Sequence, residues 1–307
     1  MRSTASYDYA RLIAAFGIVL FHAGAPGGAV GYAALPFFLI LMIIFGWTSA
    51  DRTALGPYTS GRLRRLLGPW VVWSGIFASL KLVEIQMTSA SWGSEFVPYM
   101  LLTGPAIHLW FLPFAFVACL AIWPLVRLGR KYPPILLAII ALVGALVLQG
   151  VCADKTFAAP LAQWAYVAPA VCLGIGMAVL PGRAVAQLVL IGGFVGAAAL
   201  FGWTHGLGQI TLAAGAVVLC GQIQLPQTAI SRQAAAASMG IYLAHPLMLS
   251  LLERATPLDK SNLLLASLAA GMALFLALGQ QRVHLGRILQ GWQALLGRDN
   301  TIASKPS

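Results

Sequence analysis

The stretch RLIAAFGIVLFH, residues 11–22, begins with an arginine and ends with a histidine, and only apolar residues and a glycine lie between them. In a helix, eleven steps of about 100° each bring the chain back to within roughly 20° of its starting direction. Arg11 and His22 are therefore predicted to lie on one face, about 16 Å apart along the axis. That distance is roughly half the hydrocarbon thickness of a bilayer. The two ionisable residues are either unrelated helix ends or two ends of one site.

The composition places the whole chain in the membrane class. Hydrophobic residues make up 60% of the 307 residues and charged residues only 9%, whereas a soluble domain carries about 25% charged residues. So few charges do not cover a surface that faces water, and we predict an all-α polytopic membrane protein. The four cysteines show neither a disulfide pattern nor metal-ligand spacing, and no metal is expected.

Windows of about 19 residues predict ten transmembrane helices, and polar or turn-rich segments separate them. The predicted helices cover residues 8–24, 32–50, 67–84, 106–126, 134–151, 161–180, 184–203, 207–222, 234–251 and 262–281.

The distribution of basic residues orients these helices. With the N-terminus in the cytoplasm, fifteen of the nineteen lysines and arginines fall on the inner side, and the exceptions are Lys81, Lys155, Arg254 and Lys260. Positive residues favour the cytoplasmic side. One missed helix would assign every later loop to the wrong side of the membrane and would destroy this asymmetry. We therefore predict ten crossings with both termini in the cytoplasm. The net charge of +11 then reflects insertion, and no nucleic-acid partner is expected.

Ionisable residues at membrane depth are costly and indicate function. Asp8 lies one helical turn before Arg11 and can pair with it. Two interpretations stay open for Arg11: it reaches back to the inner interface with Asp8 as its counter-ion, or it belongs to a site.

In this topology four histidines lie toward the outer side, namely His22, His108, His205 and His245, whereas His284 lies inside. A single histidine at a helix end is more often structural than catalytic. Four near one side favour proton transfer, for which the near-neutral pKa of histidine is suited. The sequence does not establish that they meet.

The first inner loop, SGRLRRLLGPW, clusters Arg62, Arg64 and Arg65. Guanidinium groups bind phosphates with two hydrogen bonds, so the cluster is a candidate site for a phosphorylated cytosolic ligand. Such clusters also act as topological signals or contact anionic lipid headgroups, and both interpretations stay open.

Two later segments also carry polar and aromatic residues. HLWFLP, residues 108–113, opens the fourth predicted helix with aromatic residues that include Trp110. SMGIYLAHP places Ser238, Tyr242 and His245 on one face of the ninth predicted helix. Either feature is also consistent with helix packing alone.

Taken together and in order, these segments resemble the integral-membrane acyltransferase-3 family. YDYARLIAAFGIVLFH resembles its opening helix, and LPFFLILMIIFGWTSA its second helix, where Gly46-Trp47 stands in place of the usual Ser-Gly. GRLRRLLGPW resembles its Arg-x-x-Arg loop, and HLWFLP and SMGIYLAHP resemble its later signatures. The resemblance covers nearly the whole chain.

The resemblance implies an enzyme that moves a short acyl group, acetyl most commonly and succinyl in some cases, from cytosolic acyl-coenzyme A. The implied acceptor is a sugar hydroxyl of a surface polysaccharide or of its lipid-linked precursor. His22 would be the catalytic histidine and Arg11 its partner, while Arg62 and Arg65, with Arg64 between them, would hold the coenzyme A phosphates. Further candidates for substrate contact or support are Asp8, His108, Trp110, Tyr242 and His245.

We expect residues 1–297 to form one membrane domain of the stand-alone type, followed by a short polar cytoplasmic tail over 298–307. The expected location is the cytoplasmic membrane of a bacterium, with membrane lipids as further partners. A histidine can take the proton of the sugar hydroxyl or carry the acyl group itself. Because the donor would lie inside and His22 outward, either the pantetheine arm reaches up a channel or the acyl group is relayed.

Two other functional classes stay open. One is a transporter or flippase of a glycan or lipid-linked intermediate, since buried arginine and histidine also line transport pathways. The other is a structural partner in a glycan-assembly complex.

Overall fold

The computed structural model describes residues 4–88, 91–259 and 261–282 of the chain, and within these ranges it contains helices and no strand. The predicted all-α class is therefore confirmed for this part of the chain. The helices are α1 (Ala5–Ala23), α2 (Gly28–Gly31), α3 (Ala34–Arg52), α4 (Leu55–Arg62), α5 (Gly68–Thr88), α6 (Trp92–Glu95), α7 (Met100–Thr103), α8 (Phe111–Gly129), α9 (Pro134–Asp154), α10 (Leu161–Ala178), α11 (Ala184–Leu200), α12 (Leu207–Gln222), α13 (Ala229–Ala255) and α14 (Leu263–Arg282).

Among the described residues, six helical stretches are long and apolar enough to cross a membrane. They are Gly28–Arg52, Leu55–Thr88, Ile107–Gly129, Pro134–Asp154, Leu161–Ala178 and Ala229–Ala255. Shorter apolar helices occupy Ala184–Leu200, Leu207–Gln222 and Leu263–Gly279. Each of the ten predicted segments overlaps a helix, but length and composition establish six spans. Ten crossings and cytoplasmic termini stay predictions, and the proposed tail over 298–307 lies outside the described residues.

The first inner loop is more helical than the sequence suggested. Its polar residues indicated a turn-rich segment, yet α4 runs through them and continues into α5 by way of a π-helical turn, Leu63–Leu67. The turn accommodates one extra residue in the helix, so the chain needs no break between the polar segment and the apolar one. Turns of this kind occur frequently at functional sites.

Two helices occupy the centre of the bundle. The first, α3, is apolar on all sides, as buried helices are, and packs against α1, α8, α10 and α12. The second, α1, is absent from the six long spans because polar residues at both of its ends lower its mean hydropathy. It packs against α2, α3, α12, α13 and α14. The helix that carries Arg11 and His22 is thus held by its neighbours.

Glycines determine where α1 ends and how closely it packs. Gly24 caps the helix with a φ of 65°, in the left-handed region that favours glycine, so His22 lies in the last turn. On the opposite flank α1 meets α2, where a Cβ on Gly17 would lie 2.9 Å from the Cα of Gly31. The backbones of α1 and α2 therefore touch, and this contact fixes the chain that follows α2.

The two ends of the bundle differ in chemistry. We call the end that carries His22, His108 and His245 the histidine end. The opposite end is the arginine end, where Arg130 pairs with Asp51 at 2.8 Å. There the Arg127 guanidinium also donates to the carbonyl of Thr53 at 3.1 Å. The bundle therefore has a cationic end and an imidazole-rich end, joined by α1.

Candidate active site

Three of the four histidines that the structure describes meet at the histidine end. The ring centroids of His22 and His245 lie 4.8 Å apart, and those of His108 and His245 lie 5.5 Å apart. His245 therefore stands between the other two. His205 packs instead against Tyr166, with 5.8 Å between ring centroids. We call His22, His108 and His245 the histidine cluster.

The hydrogen bonds of His245 define which nitrogen carries its proton. Its Nδ1 lies 2.7 Å from the carbonyl oxygen of Tyr242, on the preceding turn of α13. A carbonyl only accepts, so Nδ1 is the donor and Nε2 of the neutral ring has a free lone pair. Within the described residues, Nε2 of His245 and Nε2 of His108 are buried and have no hydrogen-bond partner. Buried nitrogens of this kind suit a ligand hydroxyl, which supplies the missing bond.

His22 differs from the other two histidines in its surroundings. His108 and His245 are buried, whereas His22 is exposed. Its ring rests edge-on against Phe21, with 5.3 Å between centroids. The cap at Gly24 leaves this residue on the final turn of α1. His22 is thus the most accessible member of the cluster.

Tyr242 and Phe77 hold His108 in place. The Tyr242 hydroxyl donates a hydrogen bond to the backbone carbonyl of His108, and Phe77 packs edge-on against the His108 ring at 5.1 Å. The sequence pattern identified Tyr242 but contained no signal for Phe77, which lies on α5 and reaches His108 only through the packing of the bundle.

A cavity of about 200 Å³ lies between α1, α3, α8 and α13. Arg11 lines the cavity from α1, and Ser238 and Tyr242 line it from α13. Tyr242 also packs 6.2 Å from the ring of His245. The face of α13 that the sequence singled out therefore borders the cavity at Ser238 and the histidine cluster at His245, with Tyr242 between them.

Arg11 sits at the cavity and is held from two sides. Its Nη1 lies 3.4 Å from Oδ1 of Asp8, and its guanidinium carbon lies 5.4 Å from the centroid of the Phe45 ring. The second oxygen of Asp8 accepts a hydrogen bond from Nε2 of Gln227 at 2.8 Å. Asp8 is thus buried and doubly bonded, and it fixes Arg11 in place.

The three loop arginines have different environments. Arg62 is half-buried, with its guanidinium carbon 5.0 Å from the centroid of the Tyr58 ring. The Tyr58 hydroxyl in turn donates to the carbonyl of Cys119 at 2.8 Å. Arg64 and Arg65, which belong to the π-helical turn, are exposed. One arginine is therefore held in a fixed position, while the other two face outward.

Trp110 occupies a supporting position. It is buried at the end of a short 3₁₀ turn, Ile107–Trp110. Its ring packs edge-on against Phe111 at 5.7 Å and Phe114 at 6.0 Å. The 3₁₀ turn also carries His108, so Trp110 anchors the segment that positions this histidine.

The grouping of the histidines does not form a metal site. Within the described residues, no group of three or more histidine, cysteine, aspartate or glutamate side chains is placed to hold a metal ion. The arrangement is instead suited to proton transfer, because it combines an exposed imidazole with two buried nitrogens that lack a partner.

The comparisons with known proteins place the chain in a family. A family model described as "Acyltransferase domain", that of the acyltransferase-3 family, matches residues 4–279. The match covers the histidine cluster, the cavity and the loop arginines. A search of curated proteins finds no match, and neither does a search of solved structures.

Proposed function

The chain belongs to the acyltransferase-3 family, and from this premise we propose that it is an O-acyltransferase that uses acyl-coenzyme A as donor. The acyl group is short, acetyl in the first place and succinyl as the alternative. The acceptor is a sugar hydroxyl of a surface polysaccharide, an exopolysaccharide or a lipid-linked precursor of one. The family and the apolar helices indicate an integral membrane protein, and we place it in the cytoplasmic membrane of a bacterium, surrounded by membrane lipids.

One observation carries this proposal: α1 links a cation at the cavity to an imidazole in the histidine cluster. Arg11 lines the cavity at one end of the helix. At the other end, the ring centroid of His22 lies 4.8 Å from that of His245. The unpartnered Nε2 of His245 adds a hydrogen-bond acceptor beside His22. A site that must deprotonate a hydroxyl needs an acceptor nitrogen of this kind.

The proposed reaction is an attack of the sugar oxygen on the thioester. The imidazole of His22 removes the proton of the hydroxyl, and the oxygen forms a bond to the carbonyl carbon. The bond between this carbon and sulfur then breaks, and the coenzyme A thiolate leaves and takes up the proton. The same imidazole also has the chemistry to accept the acyl group first and pass it to the sugar in a second step.

In this proposal the donor enters from the arginine end. Arg62 and the exposed Arg65, with Arg64 between them, bind the phosphates of coenzyme A, because guanidinium groups pair with phosphate oxygens in two-point contacts. The pantetheine arm then follows the cavity past Arg11 toward Tyr242. Since Tyr242 lies between the cavity and His245, its side chain is the last barrier before the histidine cluster.

The experiment that tests the proposal compares the surface glycans of four strains by mass spectrometry. They carry the wild-type protein, a deletion, His22→Ala and Ile13→Ala, a matched truncation at an exposed position of the same helix. The abundance of each variant in the membrane fraction serves as the control for insertion.

We expect one acyl mass to disappear in the deletion and in His22→Ala and to remain in Ile13→Ala. The lost mass identifies the acyl group. If the deletion removes the whole glycan, the transporter or structural interpretation is favoured. If His22→Ala retains full acylation, the catalytic role assigned to His22 is wrong.

A further inference from the structure

Within the described residues, the first two turns of α10 contain three buried polar atoms without a hydrogen-bond partner. They are Oε1 of Gln163, Nε1 of Trp164 and the hydroxyl oxygen of Tyr166, and none of them has a hydrogen-bond partner in the part of the chain that the structure describes. Burying such atoms unpaired costs free energy. None of these residues belongs to the predicted site, so their unsatisfied groups need a separate explanation.

A row of aromatic rings connects the start of α10 to His22. The ring of Tyr166 lies 4.9 Å from that of Tyr32. Tyr32 stacks on Phe21 at 4.0 Å, and Phe21 meets His22 at 5.3 Å. We call Tyr166, Tyr32, Phe21 and His22 the aromatic row. It leads from the start of α10 to the exposed histidine in three ring-to-ring steps.

A second set of rings joins the start of α10 to α8 and to the turn before it. Trp164 packs against Phe114 at 5.6 Å, and Phe114 packs against Trp110 at 6.0 Å. Because Trp110 anchors the turn that carries His108, the start of α10 is connected to the histidine cluster along two independent routes.

Beyond Tyr166 the row opens into a cavity of about 380 Å³. Asp154, Lys155, Tyr166 and His205 are among the side chains that line it. Its volume lies within the range of about 300–1,000 Å³ that is typical of small-molecule sites. A carboxylate, an ammonium group, a phenol and an imidazole thus surround a space at the far end of the aromatic row.

The backbone around this cavity is built to keep Tyr166 in position. Gly206 has a φ of 67°, and a Cβ at this position would lie 2.5 Å from Cε2 of Tyr166. In the loop between α11 and α12, the backbone carbonyls of Trp203 and His205 accept hydrogen bonds from Nε2 of Gln149. The distances are 3.0 Å and 2.7 Å. These bonds immobilise the loop next to the tyrosine ring.

We propose that the aromatic row and its cavity bind the acceptor, and that this acceptor is a saccharide of at least two sugar units. The unit to be acylated lies at His22, and the next unit lies toward Tyr166 and the cavity. The inference rests on the proposed function, since it assigns a place to the second substrate of the same reaction.

The chemistry of the groups matches a sugar better than an ion. The Tyr166 hydroxyl, which belongs to the cavity wall, both donates and accepts. The unpartnered atoms of its neighbours in α10 add an acceptor on Gln163 and a donor on Trp164, and neutral hydroxyl groups satisfy this mixture. Aromatic rings with a polar edge provide apolar area together with hydrogen bonds, and a sugar ring presents C–H groups on its faces and hydroxyls at its rim. The length of the row favours a chain of sugars over a single one.

The test is a kinetic one on the purified full-length protein in lipid nanodiscs. The acceptor is the polysaccharide isolated from cells that lack the protein, cut into oligosaccharides of defined length. The variants are Tyr166→Phe, Trp164→Phe and, as a matched control, Tyr132→Phe at an exposed tyrosine of the arginine end. The values of KM for the acceptor and for acyl-coenzyme A are measured separately.

We expect Tyr166→Phe to raise KM for the acceptor roughly 2- to 10-fold, the range for loss of one hydrogen bond, while KM for acyl-coenzyme A stays unchanged. The melting temperature should not fall, because the lost hydroxyl has no partner in the described residues. Oligosaccharides of two or more units should show a lower KM than single sugars, and Tyr132→Phe should behave as the wild type.

The outcomes separate the two proposals. If the wild-type protein transfers no acyl group to any oligosaccharide, the proposed function fails. If the wild-type protein transfers the group, and Tyr166→Phe and Trp164→Phe both keep the wild-type KM for the acceptor, the function stands and the acceptor site is wrong. The latter result would mean that the unpartnered atoms bind water only.

Discussion

Arg11 combines two contacts that a lysine reproduces only in part. It pairs with Asp8 at 3.4 Å while its plane lies over Phe45. The hydrogen bond from Gln227 to the other oxygen of Asp8 holds the carboxylate in one orientation. The ion pair with Asp8 fits both interpretations of Arg11, whereas the position of its guanidinium in the wall of the cavity favours a site.

We predict that Arg11→Lys keeps the protein in the membrane but lowers kcat/KM for acyl transfer about 2- to 30-fold. This range corresponds to the roughly 0.5–2 kcal/mol of a cation–π contact and its geometry. Arg130→Lys, at the exposed pair with Asp51, is the matched control and should change little. Near-normal activity of Arg11→Lys would mean that only the charge of Arg11 matters.

How far the sequence predicted the site depends on which contacts are local. The common face of Arg11 and His22 follows from the helical period alone, so the prediction for α1 needed no tertiary information. The meeting of His22 with His245 joins residues from opposite ends of the chain, and the sequence only suggested it. Phe77 and Tyr166 carry no motif, because their importance arises from packing between helices.

The contact between α1 and α2 depends on the absence of side chains. Gly17 and Gly31 face each other so closely that a Cβ on either would meet the backbone of the other helix. Since α2 leads directly into Tyr32, this contact sets the distance between Tyr32 and Phe21.

We predict that Gly31→Ala destabilises the protein by at least about 1–3 kcal/mol, the usual cost of overpacking, and lowers activity by displacing Tyr32. The melting temperature in nanodiscs and the rate of acyl transfer measure the two effects. Gly192→Ala, at a glycine of α11 with nothing within 4 Å of a new Cβ, is the matched control. Equal stability of both variants would show that α2 can move away without cost.

The loop arginines around the π-helical turn have unequal environments. The sequence predicted one cluster of Arg62, Arg64 and Arg65 and did not distinguish its members. In the structure Arg62 is held against Tyr58, while Arg65 lies in the turn and is exposed. Helical spacing alone did not reveal this difference, since a π turn changes the directions of the side chains that follow it.

We therefore predict that Arg62→Ala raises KM for acyl-coenzyme A more than Arg65→Ala does. A fixed guanidinium loses less side-chain entropy when it binds a phosphate. Lys131→Ala, at an exposed basic residue of the arginine end, controls for the loss of charge and should leave KM near the wild-type value. An equal increase of KM for acyl-coenzyme A in Arg62→Ala, Arg65→Ala and Lys131→Ala would indicate a general electrostatic effect.

The topology of the whole chain combines what the structure establishes with what only the sequence suggests. Helices occupy all ten predicted segments because apolar runs of this length have few other conformations in a membrane. Six stretches are long and apolar enough to span it. The prediction of ten crossings counts α1, α11, α12 and α14 as four further spans. It rests on the hydropathy of the sequence and on the distribution of its basic residues.

We predict that the histidine end faces outward and the arginine end the cytoplasm. Single cysteines at Lys155 and at Lys131, in a chain whose four natural cysteines are replaced, should react oppositely with a membrane-impermeant maleimide. Lys155→Cys should label in intact cells, and Lys131→Cys only after the membrane is opened. Labelling of both in intact cells would overturn the ten-crossing topology.

The packing of α1 against helices from the other end of the described chain has a consequence for biosynthesis. The first turns of this helix bond to the segment before α13, through Ser6 to the carbonyl of Ile223 and through Asp8 to Gln227. Its flank rests on α13 and α14. Among the described helices, α1 is synthesised first, and it packs against α13 and α14, which are synthesised much later. A nascent chain carries His22 long before it carries His245, and the cavity lacks the side that Ser238 and Tyr242 supply until α13 is made. The cavity and the contact between His22 and His245 therefore form only after α13 has been synthesised.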